Sequence, residues 1–383
     1  MKSVYFDNAA TTPIREEVID VISEIMKTNF GNPSSSHSFG RSSKVLVEHS
    51  RKTIARFLNV SASEICFTSG GTEADNLVLQ SAVSDLNVTH IITSKIEHHA
   101  VLHVVEKLQR DFNITVSYVN LDAHGHIDFN DLDRLMQTDA KTLVSLMHVN
   151  NEIGTILDLK RVADLCQLNQ ALFHTDAVQS VGHYNLDLQD IQVDFLAASA
   201  HKFHGPKGVG FAFIRKNSGL KPLIVGGEQE RGLRAGTESI HNISGMEMAL
   251  KMAHNHLDEE TLKVKTLKRY FTENIKASIP EVTFNGNSDH LETSTYTLVN
   301  VCLPVPPEKA GMLLFQLDLK GIACSKGSAC QSGSSQKSHV LSELLTDADL
   351  EKPSLRFSFS IFNSKAEVDY VIEVLKTFCN ALD

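Results

Sequence analysis

Residues 64–83, EICFTSGGTEADNLVLQSAV, hold a short β-branched and aromatic run, a glycine pair, and then a stretch of helical period. An apolar run too short for a helix reads as a buried strand, and glycines directly behind it mark the turn into the next element. The same alternation continues along the chain. VTHIIT is followed by HAVLHVVEKLQ, ITVSYV and TLVSLMHV are followed by DLKRVADLCQL, and ALFHTD, VDFLAAS and VGFAFI come next. Strands alternating with helices predict an α/β fold whose mostly parallel sheet is flanked by helices, in a large domain over residues 15–255.

The polar stretch from Thr237 to about Ser278 reads as helix, broken near residues 254–258 and ended by Pro280. Beyond it, TYTLVNVCL, a helix from Glu308 to Leu319, the strand LRFSFS and a last helix from Lys365 predict a smaller α+β domain. That domain comprises residues 1–14 and 256–383. Within it, residues 324–338, CSKGSACQSGSSQKS, are rich in Ser, Gly and Lys and are expected to form a mobile loop.

Composition narrows the function. A chain of 383 residues exceeds one hydrophobic core, so two domains are expected. A net charge of -10 argues against nucleic-acid binding, which needs clustered Lys and Arg. MKSVYFDNAATTPIREE has the character of neither a signal nor a transit peptide, and no window reaches the roughly 20 apolar residues of a membrane span. A cytoplasmic protein without membrane contact is the expectation. Six cysteines with no CxxC pair predict buried thiols rather than disulfides or a metal centre.

The chemistry gathers at strand ends, where open α/β folds bind ligands. In SAHKFHGPKGVGF, residues 199–211, Ser199 closes a buried run and Lys202 follows on a loop that turns through Gly205 and Pro206. A lone lysine belongs in water, and its company changes that reading. Asp176 ends ALFHTD with Gln179 three residues on, and a carboxylate there holds a heteroaromatic ring nitrogen protonated. Ser69, Gly70, Gly71 and Thr72 open a helix whose N–H groups suit a phosphate. His98 follows VTHIIT and begins a helix, placed to stack on a planar ring and exchange protons near neutral pH. The neighbouring His99 and His103 lack the further ligands that zinc-like spacing needs, so no metal is expected. Together these point to pyridoxal phosphate carried as a Schiff base on Lys202.

YFDNAATTP, GNPSSSHSFGR, FTSGGTEADN, SKIEHHAVL, HVNNEIGT, HTDAVQSVG, SAHKFHGPKGVG, QERGLRAGT, GSACQSG and LRFSFS, in this order, closely resemble motifs of the NifS/IscS-like cysteine desulfurases. These are pyridoxal-phosphate enzymes of fold type I in the class-V aminotransferase family. The resemblance spans nearly the whole chain. It implies a large domain with a seven-stranded-type sheet, and conversion of L-cysteine to L-alanine. It assigns the cofactor linkage to Lys202, the pyridine nitrogen to Asp176, the phenolic oxygen to Gln179 and ring stacking to His98. Phosphate contacts fall to Gly71, Thr72, Ser199 and His201, with Thr237 reaching across from the second subunit of a homodimer. Asn151 and Arg356 match cofactor and substrate-carboxylate positions.

Cys330 matches the nucleophile that takes the sulfur as a persulfide and carries it to an acceptor protein, such as an iron–sulfur scaffold or a tRNA-thiolation protein. Cys324, six residues earlier, is expected to be structural. A selenocysteine lyase or another enzyme of the same family is the alternative reading. The run GGEQE departs from the resemblance, with Glu228 standing where a third glycine is usual.

Overall fold

A computed structural model describes residues 3–306, 310–326 and 337–380. Strand β1 (Val4–Tyr5) precedes helices α1 (Glu16–Thr28) and α2 (Ser38–Phe57). The predicted alternation then unfolds as β2 (Ile65–Thr68), α3 (Gly71–Ser84), β3 (His90–Thr93), α4 (His99–Phe112), β4 (Thr115–Tyr118), α5 (Phe129–Met136) and β5 (Thr142–Ser145). It continues through α6 (Leu159–Leu168), β6 (Leu172–Asp176), β7 (Phe195–Ser199) and β8 (Gly210–Ile214).

These strands form a seven-stranded sheet in the order β2-β8-β7-β6-β5-β3-β4. Strands β7, β6, β5, β3 and β4 pair in parallel, and β8 lies antiparallel to both β7 and β2. Only β8 therefore runs against the rest, as its short connection to β7 demands, because a parallel crossover needs a dozen or more residues. Every residue of β2, β3, β5, β7 and β8 is buried, which explains their near-continuous apolar runs.

Two apolar cores cover the faces of this sheet. Phe173, Leu196, Phe211 and Phe213 pack with α1, α2, α6 and α7 (Ile240–Asn255), while Cys66, Ile91, Leu143 and Phe195 pack with α3 and α4. A third core belongs to another part of the chain. Val4 and Phe6 pack with α8 (Leu257–Ser278), β10 (Leu298–Cys302), β12 (Ser354–Ser358) and helix Lys365–Asn380. Here β12, β10 and β9 (Thr283–Phe284) form an antiparallel sheet, and β1 pairs in parallel with β11 (Ile322–Ala323).

The expected long helix does break, at His256, which ends α7 and precedes α8. The helix expected from Glu308 is described only as Leu313–Leu319, since 307–309 lie outside the described residues. Among the described residues no helix is long and apolar enough to cross a membrane, and no group of His, Cys, Asp and Glu is arranged to hold a metal ion.

Candidate active site

Parallel strands put their carboxyl ends on one edge of the sheet, and the chain leaves that edge at Thr68, Thr93, Ser145, Asp176 and Ser199. One cavity of about 210 Å³ opens there. Gly71, Thr72, His98, Asn151, Asp176, Gln179, Ser199, His201, Lys202 and Arg356 all line it. The structure thus brings together ten positions singled out in the sequence. Thr237 lines a different pocket, beside Thr68, Ser69 and Glu230. Cys330 and the rest of 327–336 lie outside the described residues.

The turn from β2 into α3 is built for close approach. Gly70 has φ +155°, and a Cβ on Gly71 would meet Val178 Cγ2 at 2.4 Å. Only glycine lets the first turn of α3 sit this close to the segment after β6. The helix starts at Gly71, so its amino end faces the pocket directly.

Lys202 donates from Nζ to the Ala9 and Ala10 carbonyls, at 2.6 and 2.8 Å. Gln179 Nε2 donates to the same Ala9 oxygen at 2.9 Å, and His201 Nδ1 lies 3.1 Å from Thr11 Oγ1. The segment after β1 therefore straps across the sheet edge.

Asp176 accepts one backbone bond, from Val178 N at 2.9 Å, and among the described residues no ion pair joins it. Burial, reinforced by nearby Asp75, pushes its carboxyl up to about 7. A buried acid in this condition favours a cationic partner, and a pyridinium nitrogen is one. Asp75 itself was not read from the sequence, although it lies four residues after Gly71 and so on the same face of α3. It is buried, lines the cavity, and is pushed up to about 8 by burial. His174 Nε2 lies 3.4 Å from its Oδ1, but burial lowers that imidazole to about 4, so it is neutral near pH 7.

His98 is the N-cap of α4, its Nδ1 accepting from Ala100 N at 3.1 Å. Burial and then Lys202 lower it to about 4. The sequence reading placed its proton exchange near neutral pH, but the structure makes it a neutral imidazole there. With Nδ1 occupied as an acceptor, the ring proton resides on Nε2.

Arg356 comes from the other sheet. In β12, Leu355 and Phe357 enter the apolar core, so the intervening Arg356 points the opposite way, to the cavity. Its guanidinium donates to Asp7 Oδ1 at 2.9 Å and to Asn151 O at 2.7 Å, while Nε is buried without a hydrogen-bond partner among the described residues. Cys324 is half-buried, and burial lifts its thiol to about 12, out of thiolate range. Glu228 adopts φ -84° and ψ 20°, which requires no glycine; the left-handed non-glycine residues of that loop are Glu230 and Arg231.

These features fit pyridoxal phosphate: a lysine amine, an unpaired buried acid, a helix amino end and an imidazole converge on one cavity. The family model for class-V aminotransferases matches residues 4–371, and the chain belongs to that family of pyridoxal-phosphate enzymes. It falls in the NifS/IscS-like branch. It is 40% identical over 387 residues to Cysteine desulfurase IscS of Dictyoglomus turgidum, covering 100% of this chain and 95% of the relative. Cysteine desulfurase IscS of Clostridium botulinum strain Kyoto is 41% identical, with 98% and 94% covered. Among solved structures, a NifS-like protein superposes with a TM-score of 0.90 at 32% identity, over 99% of this chain and 100% of that one. The structure of SspA in complex with cysteine gives 0.78 at 28%, over 94% and 100%.

Proposed function

We propose that the chain is a pyridoxal-phosphate-dependent cysteine desulfurase that converts L-cysteine to L-alanine and passes the sulfur onward as a persulfide on Cys330. The observation that carries this reading is the single cavity in which Lys202, Asp176, His98 and Arg356 meet. Full-length relatives named for the same activity support it, as does a solved relative that holds cysteine.

When bound, pyridoxal phosphate supplies the electron sink that labilises the Cα proton and the Cβ–S bond of an amino acid. The chain's residues do the rest. Lys202 anchors the cofactor and, once free, moves the α-proton; its amine already lies within a short reach of the cavity. Asp176 would keep the ring nitrogen protonated, Gln179 would donate to the phenolic oxygen, and His98 would cover the ring. Gly71, Thr72, Ser199 and His201 hold the phosphate.

Arg356 grips the substrate carboxylate, with Asn151 beside it. Thr237 completes the phosphate site of the partner subunit in a homodimer, a role that suits its place in a pocket away from Lys202. The Cys330 thiolate would attack the substrate sulfur, forming the S–S bond of a persulfide as the Cβ–S bond breaks and its electron pair passes to the carbon skeleton released as alanine; an iron–sulfur scaffold or tRNA-thiolation protein in the cytoplasm then takes the sulfur. The separate apolar cores support the division into a large domain, 15–255, and a smaller one made of 1–14 and 256–383.

Cys330→Ala tests the reading. Cysteine-dependent sulfide and alanine production should fall to background while the visible absorbance of the bound cofactor persists. Undiminished turnover would sink the assignment of Cys330.

A further inference from the structure

Asp7 stands in YFDNAATTP, two residues before Ala9, whose carbonyl, with that of Ala10, meets Lys202. Its Oδ1 accepts from Arg356 Nη2 at 2.9 Å and from Ser325 Oγ at 2.7 Å. Arg356 Nη1 is held separately by Asn151 O at 2.7 Å. The guanidinium is 1% exposed, and its partner Asp7 19%. A guanidinium pinned at both terminal nitrogens cannot swing about its stem, and it has used two of its five N–H donors. Nε is one of the three that remain, buried with no hydrogen-bond partner among the described residues. A buried cation with an unused donor is costly unless a second anion completes it.

The backbone fixes Asp7 as firmly as its side chain fixes Arg356. Asp7 bridges Ser358 in parallel, and Ser325 bridges Arg356 in an antiparallel arrangement. Ser358 N donates to Phe6 O at 2.8 Å, and Arg356 N donates to Ser325 O at 2.7 Å. Three chain segments, around 7, 325 and 356, are thus locked in one register. A carboxylate rigidly held in this way sets the orientation of the arginine rather than following it.

We propose that Asp7 is a positioning and specificity-determining residue: it holds Arg356 at the cavity wall with donors left for a second carboxylate, and so selects ligands that carry an α-carboxylate. The inference rests on the reading of Arg356 as the carboxylate-binding group. Asp7 neutralises part of the cation's charge, so a ligand carboxylate is recognised by bidentate geometry as well as by attraction.

The test compares L-alanine with ethylamine, which is alanine without its carboxylate, on the holoenzyme, reading the ligand-induced change in visible absorbance. Asp7→Ala is expected to weaken L-alanine at least about tenfold while leaving ethylamine within about twofold. Affinity of the apoenzyme for pyridoxal phosphate, followed by fluorescence, stays within about twofold. Should Asp7→Ala not fold, Asp7→Glu displaces the carboxylate by one methylene and is expected to show the same selective loss.

Equal weakening of both ligands, a parallel fall in cofactor affinity, or no change in either ligand overturns the proposal. Arg356→Ala separates the role of Asp7 from that of Arg356. If it selectively weakens L-alanine and the Asp7 variants do not, the role of Asp7 alone fails. If it does not discriminate, the reading of Arg356 has failed.

Discussion

Asp176 and Glu230 are both buried carboxyls close to the seven-stranded sheet, yet their surroundings differ in kind. Glu230 receives Arg51 through two bonds, at 2.6 and 2.9 Å, and Phe67 N at 2.8 Å. Arg51 in turn donates to Ile65 O at 2.8 Å and lies 4.5 Å from the centroid of the Phe67 ring. This ion pair is complete within the chain. Among the described residues, the Asp176 carboxyl accepts a hydrogen bond only from Val178 N and makes no ion pair; Asp75 is a like-charged neighbour, and His174 and Lys202 offset burial only in part. One acid is neutralised by the fold, and the other is left for something that enters the cavity. Burial of a charge thus marks a site only where the fold leaves its partner out.

The largest expected effect follows from removing the unpaired acid. Asp176→Ala should lower kcat for sulfide release by about a thousandfold, roughly 4 kcal/mol in the barrier, while the apoprotein keeps its thermal midpoint or gains a little. Loss of stability equal to that of a core substitution would erase the contrast with Glu230.

Glu230→Ala should do the reverse. Arg51 is left buried and uncompensated, which costs on the order of 3–5 kcal/mol, measured as a lower denaturant midpoint of the apoprotein. The backbone adds to the effect, because Glu230 and Arg231 hold φ of 49° and 58° and lose the ion pair that secures that conformation. Unchanged stability would show that the pair is dispensable and that the two acids differ less than their contacts suggest.

Asp176 was legible in the sequence and Glu230 was not, and the reason is range. Asp176, Gln179, Ser199 and Lys202 sit at or just beyond strand ends, so local periodicity places them on the sheet edge. Glu230 reaches Arg51 across 179 positions, and Asp7 reaches Arg356 across 349, distances over which no local pattern speaks. Helices α1 and α2 precede the first clear strand, so the alternation that revealed the later elements gives them no frame. The reversed direction of β8 could have been read from the short link between VDFLAAS and VGFAFI, too brief for a parallel crossover. The neutral state of His98 could not, because it comes from burial and from Lys202, over a hundred positions along the chain.

The raised proton affinity of Asp176 also gives the apoprotein a pH dependence. The folded apoprotein holds the Asp176 proton up to about 7, against 3.8 for the unstructured group. Between those values the native state binds more protons than the unfolded chain, so stability falls as pH rises. The contribution is fully present below the unfolded value and is lost by the time pH has passed the folded one. Across that window it amounts to a few kcal/mol at most, about 1.4 kcal/mol for each pH unit between the two values. Asp75, raised to about 8, adds a slope of the same sign, so the informative quantity is a difference between proteins. Thermal midpoints of the apoprotein at about pH 5 and about pH 8 should diverge less in Asp176→Asn than in the unaltered chain, since the amide has no proton to lose. Saturating pyridoxal phosphate should flatten the unaltered chain in the same way, because a pyridinium beside Asp176 favours the carboxylate and draws its pKa back down. A slope that persists in Asp176→Asn would place the titration on Asp75 instead.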